Sequence, residues 1–237
     1  VLFVTSREDV AFALIPVWQV SLSCVVPERN NSMEDNNEKV SITSSGTKRP
    51  LGFPIFLIVA GFIGLTAAFA LTLEKIHKLL HPEEAASCDY SVVVQCGKNL
   101  ASWQGSLLGF PNPIIGLMAW SVVITIGVSI LAGARYANWF WRGLNIGAAG
   151  ALAFVIWLFS QSVFVLGTLC PWCMVTWLAT IPLFWVVTFR NMKNGIWGTK
   201  AQKLGATLLG WVAIIVLVSY LIEAVIAQFV LNWVATL

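Results

Sequence analysis

Charged side chains divide this chain into long apolar runs, and the lengths of those runs predict its elements. Residues 50–73 carry no charge, which is enough for one helical crossing of a bilayer at about 20 residues. Residues 99–134 are also uncharged and predict a second span, beginning near Pro113 after a polar, half-buried stretch. The run 143–189 is too long for one helix and holds Gly167-Thr168-Leu169-Cys170-Pro171 in its middle. It predicts two helices joined by a tight, uncharged turn. Residues 204–222, interrupted only by Glu223, continue to about Trp233 as a fifth span. The pattern is that of an all-α, polytopic membrane protein.

Composition agrees. Of 237 residues, 58% are hydrophobic and 11% charged, with a mean hydropathy of +0.81, whereas soluble domains carry about 25% charged residues. The 12 tryptophans suit membrane–water interfaces. A net charge of +3 is too small to suggest nucleic acid, and there is no Gly-rich phosphate loop, internal repeat or nucleic-acid module. Charge matters instead through its distribution, because Lys and Arg accumulate in cytoplasmic loops. Lys48 and Arg49 precede span one, Arg135 and Arg142 separate spans two and three, and Arg190, Lys193, Lys200 and Lys203 separate spans four and five. The alternate loops carry Lys75, Lys78 and Lys98, offset by Glu74, Glu83, Glu84 and Asp89. The expectation is a multi-pass plasma-membrane protein with its N-terminus cytoplasmic and its C-terminus outside.

Residues 1–50 read as a cytoplasmic N-terminal segment. Residues 28–50 are rich in Asn, Ser, Glu and Lys and have the composition of a disordered segment. Residues 10–26 are apolar but short for a span and contain Pro16. They are either a signal-like or interfacial segment, or part of an upstream extension over 1–32 with translation starting at Met33. The second reading is preferred, because Met33 opens a short acidic-polar tail leading to Lys48-Arg49; Cys24 then has no function. The remaining chain divides into a bundle over 51–190, with an external cysteine loop over 74–112, and a cytoplasmic loop plus fifth helix over 191–237.

The candidate chemistry lies in two cysteine pairs that this orientation places on the external face. Cys170-Pro171-Trp172-Cys173 has the spacing of a redox dithiol or of half a metal site. It opens a predicted helix, where unpaired N–H groups and the helix dipole stabilise a thiolate, and Pro171 suits the first turn. Cys88 and Cys96 bracket seven residues of the external loop and can close a ring. A mobile loop would let Cys96 reach Cys170, and thiol–disulfide exchange would carry electrons inward. Both pairs have blander readings: inert packed side chains for Cys170/Cys173, a static disulfide for Cys88/Cys96.

Taken together, Cys88-x7-Cys96, Ser102-Trp103-Gln104, Gly109-Phe110-Pro111-Asn112-Pro113-Ile114-Ile115-Gly116 and Cys170-Pro171-Trp172-Cys173 resemble the vitamin K epoxide reductase family, most of all its actinobacterial members. The likeness covers about residues 51–190, with span five more loosely included. It implies a four-helix bundle around a quinone site plus a fifth helix. By matching position, Cys88 would exchange with a protein partner, Cys96 would pair transiently with Cys170, and Cys173 would react with the quinone. Ser102 matches a site serine, and Asn112 matches an asparagine whose amide can hydrogen-bond a quinone carbonyl. Trp177 stands where vertebrate members have a tyrosine, so its quinone contact departs from the family pattern. The chain ends at Leu237 without a fused thioredoxin-like domain, which implies a separate exported thioredoxin-fold, DsbA-like partner. The implied activity is reoxidation of that partner with electrons passed to a membrane quinone, menaquinone in an actinobacterial host or otherwise ubiquinone, in support of disulfide formation.

Other readings compete. The same cysteines could reduce a quinone epoxide. From a different class, the chain could bind or transport metal: His77 and His81, four apart on one helix face, could join Cys88 and Cys96 in a zinc site, although solvated histidines are the simpler reading and no metal site is assigned. Asn112 could cap a helix, Ser102 could bond local backbone, and Trp177 could anchor the interface. Glu223 receives no role. The small residues Gly147 to Ala151 are expected to permit close helix packing.

Overall fold

The computed structural model describes residues 51–232; the expectations for residues 1–50 and for the chain beyond 232 lie outside the described residues. Within them, five helices are long and apolar enough to cross a membrane. The first, α1 (Gly52–Leu80), is longer than its uncharged run and carries Glu74, Lys75, His77 and Lys78 in its last turns. Pro82 cannot continue it. A short helix, α2 (Gly97–Ala101), and a 3-10 turn over Trp103–Ser106 follow. Next comes α3 (Asn112–Leu131), starting where the Pro113 signal placed it. Then α4 (Asn138–Ser160) runs on into a π-helical turn over Gln161–Leu166 that stops at Gly167, whose φ of +66° suits glycine. The chain re-enters at α5 (Pro171–Lys193). The two-helix reading of 143–189 therefore holds.

The fifth span differs from its expectation. Residues after α5 turn at Gly195 and Gly198, both at positive φ, and form α6 (Thr199–Gly210) before a break at Trp211 and the spanning α7 (Val212–Leu231). Gly205 of α6 lies so close to Met192 and Lys193 that any Cβ there would overlap them. An uncharged run beginning at residue 204 thus merges the apolar part of a docked helix with the true span.

Helix α5 is the hub, packed against α1, α4, α6 and α7, while α3 packs chiefly on α1. Leu57 and Ala68 of α1, Trp120 and Ile126 of α3, and Leu183 and Val187 of α5 form one buried cluster. Val155, Phe159, Trp177, Ile181 and Ala227 form another among α4, α5 and α7. Close approach of helices occurs at the α1–α3 crossing: a Cβ on Gly64 would overlap the Trp120 indole, and one on Gly127 would lie 2.7 Å from Ile58. The small residues of α4 do something else. Gly147 and Gly150 have nothing within 4 Å of a Cβ position, and Gly147, Ala148 and Ala151 line a cavity. At Gly147 and Gly150 the missing side chain makes no close contact, which corrects the packing expectation there, while Ala148 is buried. At the end of the bundle away from the cysteines, the Arg190 guanidinium lies 4.2 Å and 4.0 Å from the Phe53 and Trp141 ring centres, a cation–π arrangement.

Candidate active site

The cysteine loop is built from its charged residues inward. Glu74, in the extension of α1, accepts hydrogen bonds from the Ser87 N–H and hydroxyl, and Lys78 donates to the carbonyls of Pro82 and Glu84. The Asp89 carboxylate accepts from the N–H groups of Ala86, Cys96 and Gly97 at 3.1, 2.7 and 2.8 Å. It thereby satisfies orphan donors at the start of α2 and fixes Cys96, the residue preceding that helix. Lys75, only 9% exposed, donates to the Leu100 carbonyl at the other end of α2.

Cys88 and Cys96 form a disulfide with their Cα atoms 5.7 Å apart. The loop is docked on the turn ahead of α5. A parallel bridge joins Val94 to Leu169, through Leu169 N–H to Val93 O at 2.7 Å and Gln95 N–H to Leu169 O at 2.9 Å. Asn99 donates to Thr168 Oγ1 and accepts from Ser162, tying α2 to the turn ahead of Cys170. The consequence is proximity: Cys88, Cys96 and Cys170 share one buried cluster with Leu71, Ala86 and Leu100, against which Cys173 packs. Cys170 is fully buried and its Sγ accepts the Cys173 N–H at 3.4 Å, so it caps α5. Both are free thiols. The sulfur thereby satisfies one of the orphan N–H groups at the start of α5.

Cys173 also lines a cavity of about 570 Å³ between α3, α4 and α5, to which Ser102, Asn112 and Trp177 contribute. All three sequence candidates therefore border the same space as Cys173. Their local bonds agree with one alternative reading, at Ser102, and depart from those for Asn112 and Trp177. Ser102 Oγ donates to the Asn99 carbonyl, a local bond that fixes the end of α2. Asn112 does not cap α3; its Oδ1 accepts from Leu107 N–H at 3.0 Å and its Nδ2 donates to Gln104 O at 2.6 Å, which clamps the turn before α3. Trp177 is buried, edge-on to Phe159 with centroids 5.2 Å apart, and so is no interface anchor.

Two cavity residues escaped the sequence reading. Gln104 is 4% exposed, its Oε1 has no partner, and its Nε2 lies 3.5 Å from Gln161 Oε1; both side chains line the cavity. The available signal was a glutamine at 161 inside an apolar run, since polar groups in spans are expensive and mark function.

The zinc arrangement is not formed. His77 and His81 lie near Glu84, at 3.1 and 3.9 Å, and the loop sulfurs are bonded to each other. Among the described residues no group of three or more His, Cys, Asp or Glu is placed to hold a metal ion.

A helical membrane protein with two adjoining cysteine pairs, one of which opens onto an apolar cavity, belongs to the class of membrane redox enzymes. The model of the vitamin K epoxide reductase family matches residues 55–188, more than half of the 237 residues; the chain belongs to that family and is an oxidoreductase. No curated protein matches it.

Proposed function

We propose that this protein oxidises the dithiol of a separate thioredoxin-fold protein outside the cytoplasm and delivers the two electrons to a membrane quinone. The observation that carries the reading is the continuity of sulfur from loop to cavity: Cys88, Cys96 and Cys170 in one cluster, and Cys173 on both that cluster and the cavity wall. A volume of about 570 Å³ falls within the range of small-molecule sites, roughly 300–1,000 Å³, and its apolar walls suit a quinone ring. In an actinobacterial host that quinone is menaquinone.

The chemistry proceeds by thiolate exchange. A partner thiolate attacks Cys88 and releases Cys96; the partner's second thiol then resolves the mixed disulfide and leaves the partner oxidised. Cys96 attacks Cys170 of a Cys170–Cys173 disulfide and releases Cys173. Cys88 then attacks Cys96, which re-forms the loop disulfide and frees Cys170. The Cys170/Cys173 dithiol gives two electrons and two protons to the quinone and returns to the disulfide. The sum is one dithiol and one quinone converted to one disulfide and one quinol. Ser102 and Asn112 border the headgroup end, and Trp177 forms an aromatic wall beside Cys173. Because Cys88 is 2% exposed, entry of the partner requires the loop to lift.

The test is quinone reduction by the full chain in detergent, with a reduced thioredoxin-fold protein as donor and both products measured. Wild-type protein should form quinol and oxidised donor in equal amounts. Cys173→Ala should abolish quinol formation, and Cys88→Ala should block oxidation of the donor. A Cys88→Ala variant that still oxidises the donor at the wild-type rate would overturn the relay order.

A further inference from the structure

We infer that Gln104, working with Gln161, is the polar contact that this chain makes to a quinone ring oxygen; the inference rests on the quinone reading above. Most polar side chains of the cavity wall are already committed: Asn99 and Ser162 to each other and to Thr168, Ser102 to Asn99, and Thr176 and Thr180 to the carbonyls four residues earlier. Asn112 has spent its oxygen and one N–H on the turn. Gln104 alone among the lining residues has a buried side-chain oxygen without a partner. Such a group costs about 1–3 kcal/mol unless something else in the cavity satisfies it.

The chemistry of the pair suits a ligand that changes redox state. A side-chain amide offers a donor at one end and an acceptor at the other, and the two ends are nearly identical in shape. Turning both amides together keeps the Gln104–Gln161 contact and exchanges the atom that Gln104 leaves over, from oxygen to N–H. The oxidised ring has only carbonyl acceptors and takes the N–H. The reduced ring has hydroxyl donors and takes the oxygen. Neither state leaves a buried polar group unpaired. Asn112 then acts as a positioning residue, since its bond to the Gln104 carbonyl holds the turn that aims this side chain.

The test is equilibrium binding, read by tryptophan fluorescence quenching in the full chain, of a prenylated 1,4-naphthoquinone and of its analogue lacking one ring carbonyl. Wild type should bind the quinone about tenfold more tightly than the analogue, the size expected of one good hydrogen bond. Q104L should lose about that factor for the quinone and then fail to distinguish the two ligands. Circular dichroism checks that the variant is folded. If Q104L does not fold, Q161L replaces it, and its discrimination between the ligands should fall by severalfold. Wild-type discrimination retained in the folded variant would overturn the inference while leaving the quinone reading intact. Wild-type protein that binds neither ligand would overturn both.

Discussion

Asp89 is the central tie of the loop end of the relay. One carboxylate accepts three backbone N–H groups, two of them at Cys96 and Gly97, and charge-assisted bonds of this kind are the strong ones. Gly97 is required beside it, because a Cβ there would lie 2.7 Å from Asp89 Oδ2. Asp89→Ala should therefore weaken the Cys88–Cys96 segment by about 2 kcal/mol, read as a fall of roughly thirtyfold in hydrogen-exchange protection at residues 96 and 97. Unchanged protection would mean that the disulfide and the Val94–Leu169 bridge alone fix this segment. Asn112→Ala makes the complementary case on the cavity side. It strands the Leu107 N–H and the Gln104 carbonyl, so it should cost about 1–3 kcal/mol in stability, measured as an earlier melting of the detergent-solubilised protein, and weaken quinone binding as well.

At the scale of elements, glycines do opposite work on two helices. On α1 they bring helices together, and Gly64→Ala should clash with a Trp120 that is 5% exposed and cannot yield. Overpacking of this kind costs about 1–3 kcal/mol, and thermal unfolding would register it; a neutral outcome would mean that the α1–α3 crossing relaxes freely. On α4 they leave space. Gly147→Leu should fit without clash, since nothing lies within 4 Å of its Cβ position, yet occupy the cavity. Its signature is a raised KM for quinone with stability retained, and an unchanged KM would remove α4 from the site wall. Periodicity and charge located α3, the α4–α5 turn and the helix-start placement of Cys170, because each depends on local rules: a first-turn proline, a charge-free run, a glycine stop. They could not separate α6 from α7, since the apolar face of a docked helix and the start of a span look alike in a run count. Nor could they assign Gly147 to a cavity rather than a contact, or find Gln104, because both depend on what other helices leave empty.

For the molecule as a whole, α5 sets the direction of the chemistry. Cys170 and Cys173 stand at its start, and Arg190 lies in its last turn between aromatic rings, so the thiols and the basic loops occupy opposite ends of one helix. From the distribution of Lys and Arg we propose that the basic end faces the cytoplasm, which would leave the cysteine end in the compartment where disulfides persist. That orientation can be tested apart from any activity. Val92 is 86% exposed at the tip of the cysteine loop, and Lys200 is exposed on α6, while the native thiols Cys170 and Cys173 are buried and half-buried. Val92→Cys should react with a membrane-impermeant maleimide on intact cells, and Lys200→Cys only after the membrane is permeabilised. The opposite labelling would put both cysteine pairs in a reducing compartment, where a relay that exports disulfides could not run, and the same sulfur path would then have to carry electrons from a cytoplasmic donor.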